Sequence, residues 1–150
     1  MFQIGAEIIG DDSAAADIEI LRLASDLVRE FGVRPMVAYT DLSVRALPVV
    51  IAKRTTNGVP STTATLDDIA PFAPEAADRL AEIAAAFPQF ELQLDDFDES
   101  NTYYTGLRFR IYDGTSRTKL AQGGRYDKLY ATFGTSAPAV GFTFTIDDLD

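Results

Sequence analysis

Apolar and polar residues alternate along several short segments of the chain, and such alternation predicts β-strands. In residues 2–9 (FQIGAEII), Gln3 and Glu7 fall on one face, and most of the apolar side chains fall on the other. Residues 103–112 (YYTGLRFRIY) divide in the same way, with tyrosine and arginine side chains on the polar face. Further strands are predicted over residues 33–40, 89–94, 117–122 and 138–146.

Two longer segments carry apolar residues at intervals of three and four, which predicts amphipathic helices. The first extends from an N-cap at Ser13 to about Phe31, and Gly32 follows it as a stop signal. The second extends from Pro74, which suits a first helical turn, to Phe87. The expected buried stripe of the first helix consists of Ile20, Leu23, Leu27 and Phe31.

The remaining segments have weaker patterns. Residues 53–65 (KRTTNGVPSTTAT) have loop composition and are the best candidate for a mobile segment. Gly123 and Gly124 are expected to form a tight turn that leads into a short helix over 126–133. Hairpins combined with two long helices predict a single α+β domain over residues 1–150, with a mainly antiparallel sheet flanked by helices.

Composition narrows the possible functions. The 150 residues include no cysteine, histidine or tryptophan, which excludes disulfides, imidazole metal sites and Ser-His-Asp triads. The net charge of −10 disfavours nucleic acids and anionic membranes, because affinity for phosphates comes from cationic side chains. The N-terminus lacks the basic start of a signal peptide, and no apolar run reaches the ~20 residues of a membrane span. We therefore expect a soluble, cytoplasmic protein that binds neither nucleic acid nor membrane.

The acidic run over residues 95–99 (DDFDE) does not predict a metal site. If Asp96 began a calcium loop, Asn101 would stand where the loop needs glycine, and Leu107 where it needs glutamate. The chain also has no phosphate-binding G-x-x-x-x-G-K-[ST] loop. The sequence therefore predicts neither a metal nor a cofactor.

The polar faces of the two strands over 2–9 and 103–112 suggest a binding site. If these strands were neighbours, Gln3, Glu7 and Tyr104 would lie with arginines around two bare glycine positions. This polar surface would offer a carboxylate for a cationic group, together with an amide and a hydroxyl that could orient a small zwitterion. The alternative is a half-buried sheet whose polar face simply meets water, and the pattern alone leaves both readings open.

Three segments in this order resemble motifs of histidyl-tRNA synthetase-like proteins. FQIGAEIIG resembles their motif 2 strand, YYTGLRFRIYDG their histidine-recognition strand, and LAQGGRYDKLYATFG with PAVGFTFTIDDL their glycine-rich turn and motif 3. The resemblance covers residues 2–40 and 89–149, whereas 41–88 match poorly. It implies the catalytic fold of class II aminoacyl-tRNA synthetases, truncated at the N-terminus because the motif 1 region is missing. The same group contains the regulatory subunit of ATP phosphoribosyltransferase, from histidine biosynthesis.

The resemblance implies a histidine site. Glu7 and Tyr104 would face the imidazole, and Gln3 and Tyr126 would help to hold the amino-acid end. Arg125, in the same glycine-rich segment as Tyr126, completes the candidate set.

Departures from the synthetase pattern count against catalysis. Glu99 stands where a synthetase carries an arginine ahead of its double tyrosine, and Asp148 stands where motif 3 ends in an arginine that stacks on ATP. Arg110 replaces an acidic residue that is usual in the recognition strand. Because amino-acid activation needs preorganised cations around the developing phosphate charge, acidic residues there would repel the nucleotide.

These observations are compatible with three alternative functions. The first is a non-catalytic regulatory subunit, similar to that of ATP phosphoribosyltransferase, which binds histidine and a catalytic subunit and self-associates through an uncovered strand. The second is a fragment of a histidyl-tRNA synthetase catalytic domain. The third is a structural module that kept the fold and lost the pocket.

Overall fold

The computed structural model describes residues 3–45, 47–50, 55–56, 59–60, 64–94, 104–127, 134 and 137–145. Three helices and eight strands are named here in chain order, with a short 3-10 helix over Leu42–Val44. The elements are β1 (Gln3–Ile9), α1 (Ala14–Glu30), β2 (Pro35–Asp41), β3 (Thr55–Thr56), β4 (Val59–Pro60), α2 (Leu66–Ile69), α3 (Pro74–Ala86), β5 (Glu91–Leu92), β6 (Leu107–Asp113), β7 (Lys119–Arg125) and β8 (Ala139–Thr145).

Six strands form one sheet in the order β1-β8-β7-β6-β2-β5, and β3 and β4 form a separate antiparallel pair. Every pairing in the large sheet is antiparallel except that of β2 with β5. The predicted α+β class with a mainly antiparallel sheet is therefore confirmed. The suggested adjacency of the strands over 2–9 and 103–112 is wrong, because β8 and β7 lie between β1 and β6.

The first predicted helix forms α1, with both of its end signals in place. The Ser13 hydroxyl accepts a hydrogen bond from the Ala16 amide at 3.2 Å, and Gly32 adopts a positive φ of 79° just beyond the helix. The predicted stripe is wrong at two positions, because Leu23 is 46% exposed and Phe31 is 41% exposed. Small residues on the inner face let α1 lie close to the sheet; the buried set is Ala16, Asp17, Ile20, Leu21, Ala24, Ser25 and Val28.

The core lies between one face of the sheet and the two long helices. Helix α3 begins at Pro74 as predicted and buries Leu80 and Ile83 toward α1 and β2. The sheet contributes alternate residues of its central strands to this core, including Phe109, Ile111, Phe142 and Phe144. With this face covered, the polar residues that alternate with the core residues are left on the opposite face.

The glycine pair is part of a strand and not of a turn, so this prediction is wrong. Gly123 and Gly124 lie within β7 and pair with both β6 and β8. A Cβ atom on Gly123 would lie 2.2 Å from the Gly141 carbonyl oxygen, so only glycine fits between the neighbouring strands.

Some predicted segments lie partly outside the described residues. Where the segment over 53–65 is described, four of its residues form β3 and β4 instead of a loop. Most of the predicted helix over 126–133 and the whole acidic run over 95–99 fall outside the described residues. In the part of the chain that the structure describes, no helix has the length and apolar character needed to cross a membrane.

Candidate functional site

A row of directly opposed residues crosses the open face of the sheet, the one turned away from the core. Glu7 of β1 faces Gly141 of β8, Gly141 faces Gly124 of β7, and Gly124 faces Arg108 of β6. Opposed residues in antiparallel strands project to the same side of a sheet, so all four share this face. The two glycines leave a bare strip in the middle of the row.

A hollow of about 220 Å³ lies over this bare strip. The Tyr126 hydroxyl donates a hydrogen bond to Glu7 Oε1 across it. The rings of Tyr104 and Tyr126 lie side by side, with centroids 6.4 Å apart and planes tilted by 50°. The lining residues are Glu7, Tyr104, Gln122, Tyr126, Gly141, Phe142 and Thr143.

The glycines let these side chains lie directly on the sheet. A Cβ atom on Gly141 would be 2.8 Å from Glu7 Cγ and 3.0 Å from the Tyr126 hydroxyl oxygen. A Cβ atom on Gly124 would be 3.0 Å from Tyr104 Cδ1. Contacts this short are closer than ordinary van der Waals contact, so any larger residue would displace the acid or a phenol.

The chemistry of the hollow suits recognition of a small polar ligand. Its volume is below the roughly 300–1,000 Å³ of pockets for drug-sized ligands. The exposed Glu7 carboxylate accepts hydrogen bonds, whereas the buried phenols and the Gln122 amide can both donate and accept. The hollow can therefore hold a ligand that carries N–H donors and a flat ring.

Three of the five predicted site residues come together here. Glu7, Tyr104 and Tyr126 all line the hollow. Gln3 lines an adjoining hollow of about 150 Å³, which shares Gln122 and Thr143 with the first. Gln3 is therefore close to the site without forming its wall.

Arg125 is not in the hollow. It faces Val140 of β8, which faces Ile8 of β1, and this row lies on the face covered by α1. Its side chain is almost fully buried, and Nε and Nη2 lie 2.8 and 2.7 Å from Asp17 Oδ1. Burial raises the pKa of the Asp17 carboxyl, and the ion pair with Arg125 acts against that rise.

Sequence reasoning missed five components of the site, namely Gln122, Gly124, Gly141, Phe142 and Thr143. Alternation in the strand over 138–146 separates Thr143 from the core residues Phe142 and Phe144, so the face of Thr143 is predictable. In the strand over 117–122 the core residue Leu120 is two positions from Gln122, so alternation does not identify the face of Gln122. Their adjacency to Glu7 depends on the strand order, which that alternation does not encode. Glu99 and Asp148 lie outside the described residues.

Comparisons with known proteins agree on the family. Residues 44–149 match the family model described as histidyl-tRNA synthetase. An ATP phosphoribosyltransferase regulatory subunit from Azoarcus sp. (strain BH72) is 31% identical over 98% of this chain and 50% of its own length. The chain spans about half the length of curated relatives such as this one.

Solved structures agree on the fold. An ATP phosphoribosyltransferase regulatory subunit/histidyl-tRNA synthetase from Bacillus halodurans superimposes with a TM-score of 0.72 at 20% identity, over 97% of this chain and 51% of that one. An ATP phosphoribosyltransferase (HisG:HisZ) complex from Thermotoga maritima gives a TM-score of 0.61 at 17% identity, over 95% and 65%. The class II synthetase-like sheet, its open polar face and the family match agree, and the chain belongs to the histidyl-tRNA synthetase family.

Proposed function

We propose that this chain binds free histidine in the hollow on the open face and acts as a non-catalytic regulatory subunit of ATP phosphoribosyltransferase. The observation that carries the proposal is the Glu7–Tyr126 hydrogen bond directly above Gly141, with the Tyr104 ring beside it. A carboxylate, two phenols and a bare floor match a flat, weakly basic ring that donates N–H groups.

The orientation of histidine follows from where the polar groups lie. The imidazole takes the position between Glu7 and the two tyrosine rings, where the carboxylate accepts from a ring N–H. The amino and carboxylate groups extend toward Gln122 and Thr143, which also line the adjoining hollow with Gln3. Histidine binding thus uses Glu7, Tyr104 and Tyr126 of the five residues that the sequence predicts, with Gln3 in the adjoining hollow.

The regulatory role rests on the sequence and on the relatives. Acidic Glu99 and Asp148 occupy positions where the synthetase pattern has arginines, which disfavours binding of ATP. The relative from Azoarcus is named as a regulatory subunit, and this name supports the same role for this chain, which spans half of that relative's length.

The proposed partner is the catalytic subunit of ATP phosphoribosyltransferase, in the cytoplasm. The Thermotoga maritima structure is described as a HisG:HisZ complex, and its fold matches this chain. Feedback by histidine would require that histidine bind one state of such an assembly more tightly than another. The hollow would supply the ligand contacts that differ between those states.

Isothermal titration calorimetry with the full chain tests the proposal. We expect saturable heat with histidine and none with leucine or glutamine at equal concentration. Glu7→Gln keeps the shape of the side chain and removes its charge, so it should weaken the heat. No detectable heat for histidine at millimolar concentration would contradict the proposal.

A synthetase fragment is the second candidate, because the matching family model is described as histidyl-tRNA synthetase. That function requires histidine-dependent exchange of pyrophosphate into ATP, and exchange above the level of a no-histidine blank would favour it. The third candidate is a structural module without a ligand. It would be favoured if Glu7→Ala bound every tested amino acid as the parent does.

Self-association is a further part of the proposal. Strand β1 lies at one end of the sheet order, and within the described residues no strand pairs with its outer edge. Exposed strand edges pair readily with other chains, and Ile4 and Ile9 on this strand are 37% and 54% exposed. We expect two copies to cover these edges.

A further inference from the structure

A buried arginine lies behind the hollow, on the opposite face of the sheet. Arg125 is only 4% exposed, although its chain neighbour Tyr126 faces the hollow on the open side. Besides the contact with Asp17, its Nη1 donates to the Asp11 carbonyl oxygen at 3.1 Å and to Asp127 Oδ1 at 3.0 Å. The guanidinium therefore joins the end of β7 to the beginning of α1.

The same network holds the two segments that carry the tyrosines. The Thr105 amide donates to the Arg125 carbonyl oxygen at 2.7 Å, and the Asp127 amide donates to Thr105 Oγ1 at 3.1 Å. Asp127 Oδ1 also accepts from the Ala139 amide at 3.0 Å, at the start of β8. Tyr104 precedes Thr105, and Tyr126 lies between Arg125 and Asp127, so both phenols are attached to residues of this network.

We propose that Arg125, with Asp17 and Asp127, is a positioning group for the ligand hollow. The planar guanidinium forks to several acceptors at once, and this geometry fixes the backbone more tightly than a single contact would. Residues on the covered face then determine where Tyr104 and Tyr126 lie on the open face. The start of α1 and the hollow are coupled through one side chain. This inference rests on the proposed histidine binding, because it assigns these residues a role in that site.

A purely structural ion pair is the competing explanation. Buried charges in proteins are paired because an unpaired charge is costly to bury, and such pairs occur far from any site. The two explanations differ in one respect. A positioning group changes the environment of the tyrosines when it is altered, whereas a structural pair changes only the stability of the fold.

Fluorine NMR of the full chain labelled with 3-fluorotyrosine separates the two. Tyr104→Phe and Tyr126→Phe assign the two resonances. Arg125→Lys keeps the positive charge but loses the several planar donors of the guanidinium. Asp127→Ala leaves the buried Asp17–Arg125 pair in place. Arg29→Lys is the matched control, because Arg29 forms an exposed ion pair with Asp26 on the same helix.

We expect Arg125→Lys and Asp127→Ala to shift both tyrosine resonances before any histidine is added, and Arg29→Lys to shift neither. Calorimetry should then show histidine affinity lowered by about tenfold, the scale on which loss of supporting groups weakens a site. Unshifted resonances with unchanged affinity, and only a lower midpoint of thermal unfolding, would overturn the proposal. If Arg125→Lys does not fold, Asp127→Ala decides.

The outcome also distinguishes this inference from the proposed function. If the parent gives no heat with histidine, the histidine site is refuted. The fluorine spectra of the unliganded variants still decide the positioning role: shifted resonances support it, and unshifted ones overturn it.

Discussion

At the scale of single residues, the site depends on a contact between groups far apart in the chain. The Tyr126 hydroxyl hydrogen-bonds Glu7 Oε1, so the phenol fixes the direction of the carboxylate. Hydrogen bonds to charged groups contribute about 1.5–3 kcal/mol, more than those between neutral groups. Glu7 is therefore oriented before a ligand arrives.

Tyr126→Phe tests this orientation. Removing the hydroxyl leaves the ring in place and deletes its hydrogen bond to Glu7, so we expect histidine affinity to fall by about tenfold. Tyr112→Phe is the matched control, because Tyr112 is a half-buried tyrosine of β6 that does not line the hollow. Calorimetry with both variants gives the comparison. Equal losses, or no loss in either, would show that the phenol does not orient the acid.

A second residue-scale prediction concerns pH. Burial raises the pKa of Asp41 above its usual 3.8, although the Ser43 hydroxyl and amide and the charge of Arg79 act against that rise. The folded state therefore holds the Asp41 proton more tightly than the unfolded state does, and stability falls as pH rises from about 3.8 through the folded pKa. We expect Asp41→Asn to resemble the parent near pH 3 and to gain stability relative to it toward neutral pH.

Asp113→Asn provides a control of opposite sign. Hydrogen bonds from the Thr115 and Ser116 amides lower the pKa of the partly exposed Asp113, so its contribution is present above pH 3.8 and is lost as pH falls. The free energy of unfolding, measured in urea at several pH values, gives both trends. Parallel pH trends for the two variants would contradict the assignment for Asp41.

At the scale of secondary-structure elements, the glycines of β7 and β8 leave the space in which the side chains of the candidate site lie against the sheet. Gly141 and Gly124 face each other, with Glu7 and Tyr126 packed over the first and Tyr104 over the second. The strands themselves thus form the floor of the hollow.

Gly141→Ala tests this role. The added methyl group would meet the Ala6 carbonyl oxygen at 2.7 Å and Glu7 Cγ at 2.8 Å. We therefore expect the free energy of unfolding to fall by about 1–3 kcal/mol, and histidine binding to be lost. Gly106→Ala is the control, because its methyl group would have only ordinary contacts of 3.7 Å or more with Arg125. Urea denaturation should separate the variants. A Gly141→Ala protein as stable as Gly106→Ala would contradict the claim that the strands leave no room for a side chain at position 141.

Sequence patterns predicted the elements better than their packing. Helix α1 was predictable because its cap at Ser13 and its stop at Gly32 are local signals. Its buried face was not, because Leu23 and Phe31 are apolar yet Ala16 and Ala24 give a closer fit to the sheet. Gly123 and Gly124 were misassigned because glycine pairs are typical of turns, whereas here close neighbouring strands require them.

At the scale of the whole molecule, strand order decides what the site contains. Alternation alone assigned Glu7 and Tyr104 to polar faces, and the family resemblance added Tyr126. Arg125 was included because it adjoins Tyr126 in sequence, but successive residues of a strand face opposite sides, so it supports the site from behind. Only the order of the strands reveals which polar residues meet.

Self-association is the prediction that belongs to this scale. Sedimentation velocity at several concentrations should show a species larger than a monomer, and Ile4→Lys on β1 should shift it toward monomer by adding a charge to the exposed edge. Phe72→Lys is the control, because Phe72 is also an exposed apolar side chain but lies outside the sheet. A single monomeric species at all concentrations would contradict the expectation.

The most direct measurement of the central claim is an NMR experiment with ring-labelled histidine and the full chain. We expect nuclear Overhauser contacts between the histidine ring protons and the ring protons of both Tyr104 and Tyr126, and their loss in Glu7→Gln. Bound histidine with no contact to either tyrosine, or no bound histidine at millimolar concentration, would contradict the claim that this hollow recognises histidine.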